Sequence, residues 1–321
     1  MLRIFKTEEN RLAQIEAVEH GCWVSVTEPT HAEIDYLTDA LGIDREFIRA
    51  ALDEEETSRI EIEEYGTLVI VDLPLAEKQQ EPKTRRRGVK GEQSGTVMYT
   101  TAPLAFIVTG NYVVTIATKE NSIISEIEGG LVRNLNTHLR TRFVLQVLYR
   151  IATRYLQFLK QIDKISLTMQ KMLHKSMKNK ELFQLLELEK SLVYFSTSLK
   201  SNEVTLNKIL RGRVLKLYEE DQDLLEDVLI EVGQAIEMCN IYSSILSGTM
   251  DAFASIISNN LNIVMKVLTS ITILMAIPTM VSGFYGMNVE GLPFPVFWFP
   301  VAVSIGLVGI VAVWLAKKDM F

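Results

Sequence analysis

Two long apolar runs close the chain and limit what it can fold into. The first extends from about Val267 to Phe284 and the second from about Val296 to Ala316, neither with a charged residue. Each is roughly 20 residues, the length that a helix rising 1.5 Å per residue needs to cross a ~30 Å hydrocarbon core. The stretch between them, Tyr285-Gly286-Met287-Asn288-Val289-Glu290-Gly291-Leu292-Pro293, is too short for a domain. The pair therefore reads as a transmembrane hairpin behind a large polar region. Such a chain is either membrane-anchored or one subunit of an oligomeric pore.

Basic residues set the expected orientation. Lys266 precedes the first run, Lys317 and Lys318 follow the second, and the connecting loop holds only Glu290. The positive-inside bias then puts both termini in the cytoplasm, in a multi-pass protein of the cell (inner) membrane. The N-terminal Met1-Leu2-Arg3-Ile4-Phe5-Lys6 lacks the apolar core of a signal peptide.

The formal net charge is −7, and the apolar runs add almost nothing to it. An acidic soluble region argues against nucleic acid as the main partner and fits one that meets cations. The two cysteines, Cys22 and Cys239, lie far apart and read as buried, unreactive thiols rather than a disulfide framework.

The expected fold class is α+β in three parts. Residues 1–130 form a cytoplasmic α/β domain, 131–262 a helical and stalk region, and 263–321 the hairpin, with an outer loop at 285–295. In the first part, Cys22–Val26, Arg59–Glu63, Thr67–Leu73, Val97–Thr101, Leu104–Thr109 and Tyr112–Thr118 read as strands, rich in β-branched and aromatic residues. Thr30 to Leu41 and Arg45 to Leu52 read as helices, with Thr30 and Asp44 as N-caps. The basic run from Lys83 to Lys90 reads as a loop, either solvated or touching an acidic subunit or lipid head groups.

No proline occurs between Pro103 and Pro278, and the stretch is rich in helix formers. Helices are expected from about Asn136 to Ser176, from Lys180 to Arg211, and from Asp221 onward into the first apolar run. Unbroken from Asp221 to Phe284, the third would measure about 95 Å.

Within the first apolar run, Asn262, Met265, Thr269, Thr272, Ala276, Thr279 and Gly283 recur at alternating steps of three and four. That spacing keeps one helix face towards its neighbours. The seam is mostly small and polar, which suits plain helix packing and pore lining equally. Neither run carries Asp, Glu, Lys, Arg or His away from its ends, so an intramembrane proton relay is not expected. No P-loop motif occurs, and His20, His31, His138 and His174 are scattered, which speaks against ATP-driven pumping and soft-metal coordination.

Between Lys216 and Lys266 there is no basic residue, while Glu219, Glu220, Asp221, Asp223, Glu226, Asp227, Glu231, Glu237 and Asp251 all fall there. Glu220, Asp223, Asp227 and Glu231 share one helix face. Solvation accounts for such a face, and so do hard divalent cations, which prefer oxygen ligands. A second acidic run is Asp53-Glu54-Glu55-Glu56.

Tyr285-Gly286-Met287-Asn288, placed between two apolar runs, together with Met265-Lys266-Val267-Leu268-Thr269 and Ser258-Asn259, resembles the CorA-type magnesium transporter family. The similarity is close from about Asp227 to Lys318 and architectural before that. It implies a homopentameric funnel in a lipid bilayer and a channel rather than an enzyme. The expected cargo is chiefly Mg²⁺, with Co²⁺ and Ni²⁺ as further candidates. Mg²⁺ would be both transported and regulatory, with no organic cofactor. By matching position, Gly286, Met287 and Asn288 form the selectivity filter. Thr279, Met265, Leu268 and Asn262 would line the path inward, and the seam adds Thr269, Thr272, Ala276 and Gly283 as pore-lining candidates. Asp227 and Asp251 match acidic stalk positions, the former in an inter-subunit regulatory site. The resemblance sets Ala50 where the family carries the neighbour's acid, leaving Asp53 or Glu54 to supply it. The zinc-transporting branch of the superfamily is the near rival, and Met287 leans towards magnesium. A non-conducting scaffold or sensor is the rival from another class.

Overall fold

β-Branched and aromatic residues of the first 117 positions gather into one seven-stranded sheet. The computed structural model describes residues 1–9, 11–78, 97–176, 179–212, 214–215, 217–287, 294, 296–318 and 320. The basic run at 83–90 lies outside the described residues. The strands are β1 (Leu2–Glu8), β2 (Arg11–Ile15), β3 (Trp23–Thr27), β4 (Arg59–Glu63), β5 (Gly66–Lys78), β6 (Val97–Val108) and β7 (Val113–Ala117). Their order is β2-β1-β3-β7-β6-β5-β4. Only β3 and β7 pair in parallel; the other neighbours are antiparallel.

Helices cover both faces, which is why β7 is buried along its whole length rather than alternating. On one face α1 (His31–Asp39) and α2 (Arg45–Ala51) bring Leu37, Phe47 and Ile48 onto Val24, Ile70, Ile107 and Ile116. Thr30 and Asp44 cap these helices as the sequence suggests: each accepts a backbone N–H, and Glu33 completes a capping box with Thr30. On the other face lie α4 (Arg140–Ser176) and α5 (Asn179–Gly212), reached after the short α3 (Ser122–Glu128). There Trp23 meets Phe143 with ring centroids 5.2 Å apart, and Tyr99 meets Phe158 at 5.3 Å.

The two strands expected around Pro103 are one continuous strand, β6. Its ladder to β7 stops at Leu104, and Pro103 faces Asp72 on β5. The N–H and C=O of Asp72 turn away from β6, to Asn202 of α5. Pro103 therefore sits where its missing N–H removes no ladder bond, the kind of place proline tolerates in a sheet. β1, β2 and α3 are present although the sequence reading assigned none of them.

The chain divides into two compact units, Met1–Ser247 and Gly248–Phe321. The helix α6 (Glu219–Tyr285) contributes to both. In the first unit it buries Leu225, Val228, Val232, Ala235, Cys239 and Leu246, spaced by threes and fours and finally by seven. Burial raises the Cys22 thiol and pushes that of Cys239 up to about 12, so neither is poised as a nucleophile. The second unit holds the rest of α6 and α7 (Trp298–Lys317). Both helices are long and apolar enough to cross a membrane, and only 6% of either apolar window is buried, unlike the core helix of a soluble protein.

Candidate ion pathway

The second unit gives α6 two unlike faces. Ser270 is fully buried, and its hydroxyl donates to the Met320 carbonyl at 3.1 Å, so the segment after α7 returns to α6 there. Lys266, Val267, Leu274, Ile277, Val281 and Tyr285 are half-buried and fall on the same side. Thr272 and Thr279 lie about 200° and 180° round the helix from Ser270. With them Asn262, Met265, Leu268, Thr269, Ala276 and Gly283 are all exposed. Most of the seam is thus opposite the packing face, with Asn262 and Thr269 on the flank, about 80–100° from Ser270.

The seam also has a chemical bias. Thr272 Oγ1 donates to the Leu268 carbonyl at 2.8 Å, and Thr279 Oγ1 to that of Met275 at 3.2 Å. Each hydroxyl proton is occupied within its own turn, which leaves oxygen lone pairs for whatever passes. An acceptor-lined path suits a cation and its water.

At the C-terminal end of α6 the Gly286 N–H donates to Ser282 O at 2.9 Å and the Met287 N–H reaches Phe284 O at 3.4 Å. A Cβ on Gly286 would stand 3.1 Å from Ser282 O, so a larger residue would crowd the last turn of the helix. Asn288 lies outside the described residues, as does 289–293 of the connecting loop.

The stalk acids in the first unit have unequal surroundings. Asp221 is buried and accepts the Tyr218 N–H at 3.2 Å, closing the start of α6. Glu220 pairs with Arg142 of α4, a cation that no reading of α6 alone could supply. Asp223 and Asp227 are exposed, and Glu231 is half-buried. Asp53 Oδ1 accepts the Glu55 N–H at 3.0 Å, and Glu54 lies 3.8 Å from Lys119. Asp251, in the second unit, is exposed. Among the described residues no group of three or more His, Cys, Asp or Glu side chains is placed to hold a metal ion. Among the described residues, Asp227, Asp251, Asp53 and Glu54 thus form no such group within one chain.

The family model for the CorA-like Mg²⁺ transporter protein matches residues 18–318. The chain belongs to this family. A relative, the cobalt/magnesium transport protein CorA of Methanocaldococcus jannaschii, is 26% identical over 299 residues, covering 89% of this chain and 87% of that one. The cobalt/magnesium transport protein CorA of Thermotoga maritima is 33% identical over 145 residues, 40% of this chain and 41% of that one. The complete structure of the M. jannaschii CorA magnesium transporter overlays with a TM-score of 0.79 at 22% identity, covering 99% of this chain and 96% of that one. The ZntB cytoplasmic domain from Vibrio parahaemolyticus overlays less well, at 0.58 and 10% identity, over 80% of this chain and 96% of that one. The family match thus runs from just before β3 through α6 and α7.

Sequence reasoning missed the aromatic contacts between the end of α6 and the start of α7. Tyr285 and Phe294 both pack on Phe299, at centroid distances of 6.2 and 5.0 Å. The only hint in the sequence is the aromatic density of Phe294, Phe297, Trp298 and Phe299.

Proposed function

We propose that this chain is the subunit of a homopentameric channel that takes up divalent cations, chiefly Mg²⁺, with cytoplasmic Mg²⁺ as its regulator. The observation that carries this reading is the exposed, acceptor-rich seam of α6, opposite its packing face and ending at Gly286-Met287 in a CorA-family chain. A single hairpin cannot enclose a path. Several copies round an axis would turn the seam inward, with Met265 and Leu268 as an apolar neck.

The chemistry suits Mg²⁺, which sheds its waters reluctantly. A ring of Asn288 amide oxygens at the outer mouth would accept hydrogen bonds from those waters without stripping them. Carboxylates are absent from the described part of the seam, so nothing there would trap the ion. A potential of 100 mV supplies about 4.6 kcal/mol to a divalent cation, twice the ~2.3 kcal/mol per charge, which drives uptake without ATP. The positive-inside bias places both termini in the cytoplasm and the stalk acids with them.

For regulation, exposed carboxylates are the hard oxygen donors that Mg²⁺ takes. Asp227 would contribute from α6, and Asp53 or Glu54 from a neighbouring subunit. Mg²⁺ bound between subunits would relieve repulsion among the stalk acids and favour a closed arrangement. The zinc-transporting reading is less favoured, since the matching family model is the CorA-like Mg²⁺ transporter and the relatives are cobalt/magnesium transport proteins.

Replacing Asn288 with Ala tests the outer ring. The variant should assemble with the parent's mass by light scattering and lose Mg²⁺ uptake. Parental uptake would remove Asn288 from the mechanism.

A further inference from the structure

We propose that Phe299 is a positioning residue for the outer mouth: its ring ties the end of α6 to the chain entering α7 and so fixes the Gly286–Met287 turn, an inference that rests on the outer mouth selecting the ion. Of the three consecutive aromatics, Phe297 and Trp298 are 74% and 72% exposed, as residues of a membrane interface are, whereas Phe299 is half-buried. Its ring lies 6.2 Å from Tyr285 on one side and 5.0 Å from Phe294 on the other, both tilted, within the range of favourable aromatic contacts. Tyr285 is the last residue of α6 and is bonded directly to Gly286. Phe294 stands at the other end of the connection, at 67% exposure.

The backbone at Phe294 gives a second, independent sign that this contact is imposed. Its φ is +51°, a region that a bulky residue other than glycine rarely enters. Such strain persists where surrounding contacts hold it. Two short hydrogen-bonded steps then lead into α7: Val296 N–H to Phe294 O at 2.7 Å, and Phe299 N–H to Val296 O at 3.0 Å. The strained residue, the turn and the ring it touches are thus one local unit. With both ends of the connection resting on one ring of a membrane helix, the Gly286 and Met287 backbone has a fixed base. Without that ring, Tyr285 loses its stop, and the turn that begins at Gly286 shifts with it.

The test uses the full-length protein in liposomes, with Phe299→Ala, Phe299→Tyr and Phe299→Leu beside Asn288→Ala. Phe299→Ala should raise the apparent KM for outside Mg²⁺ about tenfold, short of the ~100-fold that a 1 Å misplacement can cost. It should also lower the ratio of Mg²⁺ to Ca²⁺ flux while mass and thermal unfolding stay parental. Phe299→Tyr, which keeps the ring, should restore parental KM and ratio. If Phe299→Ala does not assemble, Phe299→Leu carries the test, because it keeps apolar bulk and lacks the ring. Parental KM and ratio in the assembled Ala or Leu variant, or a Tyr variant as impaired as Ala, overturn the proposal. Lost uptake in Asn288→Ala beside a parental Phe299 variant overturns this inference alone. Parental uptake in Asn288→Ala removes the outer-mouth reading on which it rests.

Discussion

At Asp72, β5 outruns β4, and the side-chain amide of Asn202 makes the bonds that a longer strand would have made. Its Oδ1 accepts the Asp72 N–H at 2.9 Å, and its Nδ2 donates to the Asp72 carbonyl at 2.8 Å. The same Oδ1 accepts from Ser58 Oγ at 2.7 Å, and Tyr155 Oη donates to the Asp72 carbonyl at 3.1 Å. Asn202 is 3% exposed, so water does not replace it. Truncation would leave a buried backbone donor unmet, at a cost of about 1–3 kcal/mol per group. Asn202→Ala should lower stability by roughly that amount in thermal or denaturant unfolding of the purified protein. A change under about 0.5 kcal/mol, the scale of neutral surface substitutions, would contradict this account. Nothing in the sequence marks Asn202, because its partner is 130 positions away and depends on where β4 ends. Phe299 was hidden for the same reason: its partners meet it only once the hairpin closes.

Among the elements, α6 was the most legible. Its seam, its acidic start and its entry into an apolar run all follow from periodicity and composition, because a helix displays its neighbours at fixed steps. The same rule did not help with β1 and β2. Leu2–Glu8 mixes Arg3, Lys6 and Glu8 among its apolar residues, and Arg11–Ile15 is too short to show a pattern. β6 was split at Pro103 because proline reads as a break until the neighbouring ladder is seen to stop there. Asp227 is where α6 makes a testable claim. It is exposed, and among the described residues it has no cation paired with it, unlike Glu220 with Arg142. Asp227→Ala should weaken the protection of the stalk against proteolysis by Mg²⁺, and its currents should resist inhibition by internal Mg²⁺. If protection and inhibition both match the parent, Asp227 is a solvated acid and the sensor lies elsewhere.

For the molecule as a whole, one hairpin per chain cannot enclose a path, so the proposed function is that of an assembly. The family follows from a match over residues 18–318, and the membrane helices from their length and composition. The proposed stoichiometry, gate and ion order are not legible in any pattern along one chain, since they would depend on contacts between copies and on small differences in hydration. Conduction is the central claim, and it also separates a channel from a silent scaffold. The direct measurement is Mg²⁺ entry into liposomes that hold only the purified protein, with an imposed potential and no ATP. Entry that rises with an inside-negative potential and falls as internal Mg²⁺ is raised is the predicted result. Entry no greater than in protein-free liposomes, or indifferent to the potential, would contradict it.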